Sequence, residues 1–323
     1  MEKFVSKVWY SKSYWAWLLF PCSLIYQIIV TIRRKYLQHI QQHHIVPIIV
    51  IGNLTVGGVG KTPLVIALAL KLRAKGLRVG IVSRGYGAKV CHYPYEVMAA
   101  DPATMVGDEP LLLAKKTCSP VVISPVRMAA VRYLLDKYDS QVIISDDGLQ
   151  HYAMGRAVEI LVVDGQRGLG NGLCLPAGPL REGKKRLQEV DFIVVNSGYW
   201  PQAYEMTLAV GKPCSIKTGS MVSWSQLHGQ VAAVAAIGNP ERFFTTLKTR
   251  GISFTPYAFP DHHVFQPWEL NLTEKIIVMT EKDAVKCNDF ATETMYFVPV
   301  EANLSDSFWN ALWSHPELKG LFI

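Results

Sequence analysis

From residue 46 onward, short apolar runs alternate in a regular order with segments of helical periodicity. Continuous apolar stretches at 46–51 (VPIIVI), 77–83, 121–124, 142–145, 159–163 and 192–196 have the length and branched side chains of strands buried on both faces. Between them, 63–75, 110–116 and 126–137 carry apolar residues at helical spacing, and Gly76 closes the first of these. Strands alternating with helices predict an α/β fold, a parallel sheet with helices on both faces. Over 197–220 the pattern loosens and Gly, Pro and Ser become frequent, which predicts a linker. Beyond it a smaller α/β unit is predicted, with strands at 231–237, 275–280 and 295–300 and a helix at 240–249. The expected division is an N-terminal helical segment 1–40, a main domain 41–205 and a smaller C-terminal α/β domain 206–323, without internal repeats.

Residues 13–32 (SYWAWLLFPCSLIYQIIVTI) hold no charged side chain, whereas Lys3, Lys7 and Lys12 precede them and Arg33, Arg34 and Lys35 follow. A helix of about 20 residues rises about 30 Å, enough to cross a bilayer. No small-residue cleavage site follows, Pro21, Ser23, Gln27 and Thr31 interrupt the run, and the flanks are basic on both sides. Trp9, Tyr10, Tyr14, Trp15 and Trp17 gather near one end, where rings suit the headgroup region. A helix lying on or dipping into a membrane surface is therefore expected, ahead of a true span or a helix packed on the core.

Composition narrows the classes. Apolar residues make up 50% of the 323, which excludes a disordered chain. Thirty-three Lys and Arg against 26 Asp and Glu leave +7, an excess suited to phosphates, anionic lipid or nucleic acid. The cysteines are scattered, with no Cys-x-x-Cys pair, so neither a disulfide framework nor a zinc ribbon is expected.

The most specific motif is GNLTVGGVGKTP at 52–63, lying between a predicted strand and a predicted helix. Thr55, Val56, Gly57, Gly58, Val59, Gly60, Lys61 and Thr62 would wrap a nucleotide's phosphates; Lys61 would reach the β- and γ-phosphates and Thr62 would ligate Mg²⁺. The strict pattern begins with glycine, and Thr55 stands in its place. A P-loop also needs an acidic residue at the end of another strand. Asp146 and Asp147 in ISDDG supply two, Asp164 is a rival, and a plain Asp-Gly turn is the alternative.

Three P-loop classes compete. A guanine-binding switch would carry [NT]-K-x-D, but Thr280-Glu281-Lys282-Asp283 has its lysine one place late. A partitioning ATPase would have lysine where Val56 stands. A small-molecule kinase needs a general base and cationic grips. Asp108 and Glu109 in VGDEP are candidates, with a helix cap as the alternative. Arg84, Arg127, His151, Arg181 and Glu182 lie at predicted strand ends or loops, where ligands of open sheets bind, although a lone arginine is usually a solvated one. FPDHH places His262 and His263 in a loop of the second unit; a loop histidine is usually an ordinary one, and the alternative is that one of these reaches across the cleft and pairs with a carboxylate.

These motifs together, GNLTVGGVGKTP, SRGYG, VGDEP, ISDDGLQH, LPAGPLRE, FPDHH and TEKDAVK, with the N-terminal apolar helix, resemble the tetraacyldisaccharide 4'-kinases of Gram-negative lipid A biosynthesis, and the loop with Thr55 is that family's form. The resemblance implies a P-loop kinase fold and transfer of the ATP γ-phosphate to the 4'-hydroxyl of a tetraacyldisaccharide 1-phosphate, giving lipid IVA. It implies Mg²⁺, a lipid disaccharide substrate, and the cytoplasmic face of the inner membrane, with no nucleic acid and no obligate protein partner. A membrane-associated nucleotide switch is the alternative function. By the same resemblance Asp108 is the expected base, supported by His262 in preference to His263. Asp146 is expected on Mg²⁺ and Asp147 as a catalytic carboxylate beside Lys61. Arg84, Glu109, Arg127, His151, Arg181 and Glu182 are expected to contact substrate.

Overall fold

In the computed structural model, which describes residues 8–11 and 14–322, strand β1 (Ile48–Gly52) is buried along its whole length. Ile49 and Ile51 share one core with Leu64, Leu68 and Leu72 of the helix Lys61–Ala74. Ile48 and Val50 share the opposite core with Met128, Val131 and Leu134 of the helix Arg127–Tyr138. Successive side chains of a strand point to opposite faces, so a fully apolar run requires a helix on each.

The remaining strands are β2 (Val79–Ser83), β3 (Tyr95–Val97), β4 (Val121–Ile123), β5 (Val142–Asp146), β6 (Val158–Asp164), β7 (Phe192–Asn196), β8 (Tyr204–Val210), β9 (Cys214–Ser215), β10 (Val231–Ala235), β11 (Thr255–Ala258), β12 (Ile276–Thr280), β13 (Met295–Val298) and β14 (Val300–Leu304). The principal helices are α1 (Tyr14–His39), α2 (Lys61–Ala74), α3 (Asp108–Thr117), α4 (Arg127–Tyr138), α5 (Pro240–Thr249), α6 (Glu281–Ala284) and α7 (Asp306–Trp313). One sheet runs β14-β8-β7-β6-β1-β5-β2-β4-β3, and a second runs β11-β10-β12-β13-β9. The large sheet is parallel except at its edges, where β3 and β14 run antiparallel. Because β5 and β6 flank β1 on opposite sides, the loops after these three strands open together at a topological switch point, where open sheets bind ligands.

Two expectations from the sequence are corrected. Residues 197–220 are not a plain linker, since β8 and β9 lie within them. In β8 only Met206 is fully buried, so no continuous apolar run marked it. The division at 206 also fails: the predicted strand 295–300 is two strands parted at Pro299, which cannot donate to a ladder. The second of them, β14, returns to pair with β8, and Phe308, Trp309 and Leu312 of α7 join the core of the large unit. The smaller unit is thus an insertion between β8 and β14, and its two connections meet where the Gly211 N–H donates to the Pro299 carbonyl (3.0 Å).

Helix α1 docks by one stripe. Ala16 and Ser23 are buried, and Leu19, Phe20, Tyr26, Val30 and Arg34 are partly buried, at spacings of three and four residues. Ser23 Oγ donates to the Cys174 carbonyl (2.7 Å), Tyr26 OH to the Arg181 carbonyl (3.2 Å), and Arg34 pairs with Glu189 (2.6 Å). Trp17, Leu18, Ile25, Ile28, Ile29 and Ile32 remain exposed on the other side. Lys3, Lys7, Lys12 and Ser13 lie outside the described residues.

Candidate active site

The loop after β1 turns into α2 through two left-handed glycines, Gly57 (φ 103°) and Gly60 (φ 89°). A Cβ at Gly60 would stand 2.2 Å from Asn196 Nδ2, whose amide donates to the Val59 carbonyl (2.9 Å). Thr55 occupies the motif's first glycine position for a visible reason. It forms an antiparallel bridge with Leu180, flanked by Val56 N–H to Pro179 O (2.9 Å) and Arg181 N–H to Leu54 O (2.7 Å). A β-branched residue suits such bridged backbone. Gly58 packs against Gly238 of the smaller unit, where a Cβ on Gly238 would come within 2.7 Å of the Gly58 nitrogen. Lys61 opens α2, followed by Thr62 in its first turn. Its Nζ donates to Asn53 Oδ1 (2.9 Å) and lies 3.3 Å from Asp147 Oδ1. Helix N-termini favour anions at this position.

Asp146 ends β5 and is buried. Ser83 Oγ donates to its Oδ2 (3.2 Å), while its buried Oδ1 has no hydrogen-bond partner. Burial, then the charges of Glu109 and Asp147, push its carboxyl up to about 7. Asp147 takes a left-handed backbone (φ 47°) and turns to Lys61 and to Arg181 Nη1 (3.1 Å). Burial opposes its ionisation, but the charges of Lys61 and Arg181 prevail and hold it far below the usual carboxylate range. The rival Asp164 is engaged elsewhere: its Oδ1 accepts from the Gln166 N–H (2.9 Å), and its Oδ2 pairs with Arg242 (3.3 Å). Among the described residues, no group of three His, Cys, Asp or Glu forms a ready metal cage.

Asp108 begins α3 after the N-cap Gly107 (φ 92°) and accepts the N–H of its neighbour Glu109 at Oδ1 (2.8 Å), so it is the first residue of the helix and not its cap. The same carboxylate also reaches the second unit. His262 Nδ1 lies 3.0 and 3.1 Å from its two oxygens, and Lys282 and Lys286 each stand 3.9 Å from Oδ2. Since a carboxylate only accepts, Nδ1 carries the proton. Burial alone would raise the Asp108 pKa, but the His262 hydrogen bond and the lysine charges lower it to about 2. The hydrogen bond to Asp108 in turn raises the His262 pKa. His262 is itself left-handed (φ 61°), its N–H held by Asp261 Oδ1 (3.1 Å) and its ring beside Tyr86. Such strain is typical of functional positions. His263 instead pairs with Glu269 (3.0 Å) and stacks on Phe259. Lys282 links Glu109 (3.0 Å) and Asp261 (3.4 Å), and the Glu109 charge helps to raise the Asp146 pKa.

The other expected contacts separate. Arg127 is buried against the Ser124 carbonyl (2.8 Å) and the Asp146 carbonyl (3.3 Å), and burial lowers its pKa to about 10. Burial, then the charges of Arg127 and exposed Arg84, lower the His151 pKa to about 3. Arg181 holds Asp147. Glu182 is not brought to the cluster: its oxygens are taken up inside the fold by Gln150 Nε2 (2.9 Å) and Tyr152 OH. Residue-by-residue reading missed Asn53, Asp261, Lys282 and Lys286. Asn53 directly follows a strand within the glycine loop, and TEKDAVK, one of the motifs of the family resemblance, holds Lys282 and Lys286.

Residues 15–317 match the family described as Tetraacyldisaccharide-1-P 4'-kinase. A protein named Tetraacyldisaccharide 4'-kinase from Legionella pneumophila (strain Lens) is 55% identical over 323 residues, covering 100% of both chains. One of the same name from Alcanivorax borkumensis is 46% identical over 310 residues, covering 95% of each. A crystal structure of "apo" form LpxK from Aquifex aeolicus in complex with ATP superposes with a TM-score of 0.76 at 27% identity, covering 95% of this chain and 99% of that one.

Proposed function

This chain belongs to the tetraacyldisaccharide-1-P 4'-kinase family, and from that premise we infer that its cleft transfers the γ-phosphate of ATP to the 4'-hydroxyl of a tetraacyldisaccharide 1-phosphate. The observation that carries the assignment of residues is the Asp108–His262 pair (3.0 Å), assembled from two units, with Lys282 joining Glu109 to Asp261 beside it. A sugar hydroxyl must lose its proton as the new bond to phosphorus forms. Asp108, kept ionised by His262 and the lysines, accepts it. In a loose phosphoryl-transfer transition state that proton moves late, so a carboxylate of low pKa suffices. Lys61 offsets charge on the transferring group, and Arg181 keeps Asp147 turned toward Lys61. Arg84 and Arg127 supply positive charge beside a neutral His151, an arrangement suited to an anionic headgroup.

Mg²⁺ fits this donor set. It binds through one or two carboxylates, with waters and phosphates completing the shell. Asp146, with its unpartnered buried oxygen and raised pKa, and Thr62 would hold it. When bound, the ion neutralises charge on the β- and γ-phosphate oxygens.

The main unit carries the nucleotide and the smaller unit supplies His262. Exposing acyl chains costs about 0.8 kcal/mol per CH₂, so the enzyme works at the bilayer surface. The exposed apolar side of α1 rests there, at the cytoplasmic face of the inner membrane. Incubation with γ-labelled ATP and the lipid disaccharide in mixed micelles tests the function. Label moves to the lipid if the assignment is right; release of inorganic phosphate alone would favour the nucleotide switch.

A further inference from the structure

Asp108 and His262 come from different units, and neither has a reason in its own element to hold the other in register. Lys286 touches the surroundings of both. On one side it pairs with Asp283 (2.6 Å). Asp283 is wholly buried, and its Oδ2 accepts from the Ala236 N–H (3.0 Å) and Thr280 Oγ1 (2.6 Å). The anchor is therefore fixed to the core strands of the smaller unit. On the other side the Lys286 ammonium stands 3.9 Å from Asp108 Oδ2. It also lies 5.0 Å above the ring of Phe265, which packs edge-on against Phe259 and His263 and so braces the loop carrying His262.

We propose that Lys286 is a positioning residue for the phosphoryl-transfer site: anchored on Asp283, it spans the cleft and holds the Asp108 carboxylate in register with His262. Asp108 loses this tether when the smaller unit moves away, so the base is armed only when the two units are together. The idea rests on Asp108 acting as the base. A lysine serving only packing would neutralise Asp283 and leave the Asp108–His262 pair untouched.

The test uses the full chain carrying Lys286→Met with Asp283→Asn, a neutral pair of similar shape that avoids leaving Asp283 charged and buried. Lys286→Arg serves as the conservative rescue. Transfer kinetics are measured in mixed micelles, and His262 is titrated by NMR on histidine-labelled protein. The charges facing His262 are Asp108, Asp261 and Lys282, with the Tyr86 hydroxyl ring alongside. Releasing Asp108 from its register weakens the hydrogen bond that raises the His262 pKa, so the His262 titration moves down. The expected result is a kcat lower by ~10-fold or more, an ATP KM within ~3-fold of the parent, a His262 titration moved down, and recovery of at least a third of kcat in Lys286→Arg. A kcat within ~2-fold of the parent, or a lower kcat with an unmoved His262 titration, overturns the proposal. If the double variant does not fold, Lys286→Arg decides alone, because loss of kcat in that charge-preserving variant with an unchanged His262 titration also overturns it. Asp108→Asn is assayed in parallel: full activity there would defeat the base assignment itself, while the His262 titration would still report on the lysine.

Discussion

Replacing Asp108 with asparagine separates charge from shape at the centre of the cleft. The amide keeps the volume but cannot accept a proton, and it leaves His262, Lys282 and Lys286 facing a neutral group. General-base catalysis is worth about 10²–10⁴ in rate, so kcat should fall by at least ~10². A second quantity follows from electrostatics. Lowering the Asp108 pKa from 3.8 to about 2 corresponds to roughly 2 kcal/mol of stability. Because the folded-state pKa is depressed, that contribution is present above about pH 4 and lost as pH falls toward about 2. At pH 7 the variant should therefore melt several degrees below the parent, at about 2–4 °C per kcal/mol. ATP affinity should stay within ~3-fold, since Lys61, Asp147 and the glycine loop are untouched. Steady-state transfer, calorimetric ATP binding and thermal melts at pH 7 measure all three. Turnover within ~3-fold of the parent, with normal ATP binding, would refute the assignment and reduce Asp108 to an acidic residue in the first turn of α3.

Asp146→Asn should raise the Mg²⁺ concentration for half-maximal transfer ~10-fold or more while the protein stays folded; an unchanged Mg²⁺ titration would place the ion elsewhere. With its folded-state pKa raised to about 7, Asp146 makes the nucleotide-free protein more stable as pH falls from about 7 toward 4, and Mg²⁺ with ATP should flatten that slope in thermal-shift assays. Gly238→Ala should cut transfer ~10-fold or more with little loss of melting temperature, because the added methyl would meet the Gly58 nitrogen at 2.7 Å; unaffected kinetics would mean that the units need not close on the loop. Exchanging Trp17 and Ile28 for serine should lower co-sedimentation with vesicles ~10-fold or more, as each exposed side chain gives up the roughly 1.5–3 kcal/mol of burying it in lipid.

Elements whose information is local were legible in the sequence. The buried parallel strands and amphipathic helices read through within a residue or two, because continuous apolar runs and helical spacing are properties of short windows. Thus β7 and α5 fall at 192–196 and 240–249, as the pattern predicts. Non-local pairing was not legible. Strands β8 and β14 alternate polar and apolar residues and stabilise each other across 89 intervening positions, so neither stands out alone. The same contrast holds in the cleft. The glycine loop and the paired aspartates are signalled by neighbours in sequence, whereas Lys282 meets Glu109 and Lys286 approaches Asp108 only when α6 and the turn after it are brought against α3. Glu182 shows the converse, a charged residue in a suggestive loop whose oxygens are satisfied inside the fold by Tyr152 and Gln150.

Placing the smaller unit between β8 and β14 sets an order of assembly on the ribosome. The large sheet stays one strand short until residues 300–304 emerge, by which time β9 through β13 are already outside the tunnel. Nascent chains should therefore carry an uncovered β8 edge through most of the synthesis of the second half, a period when a chaperone would be needed to prevent edge-to-edge association. Only the final two dozen residues, through β14 and α7, close that edge and complete the core beneath α2.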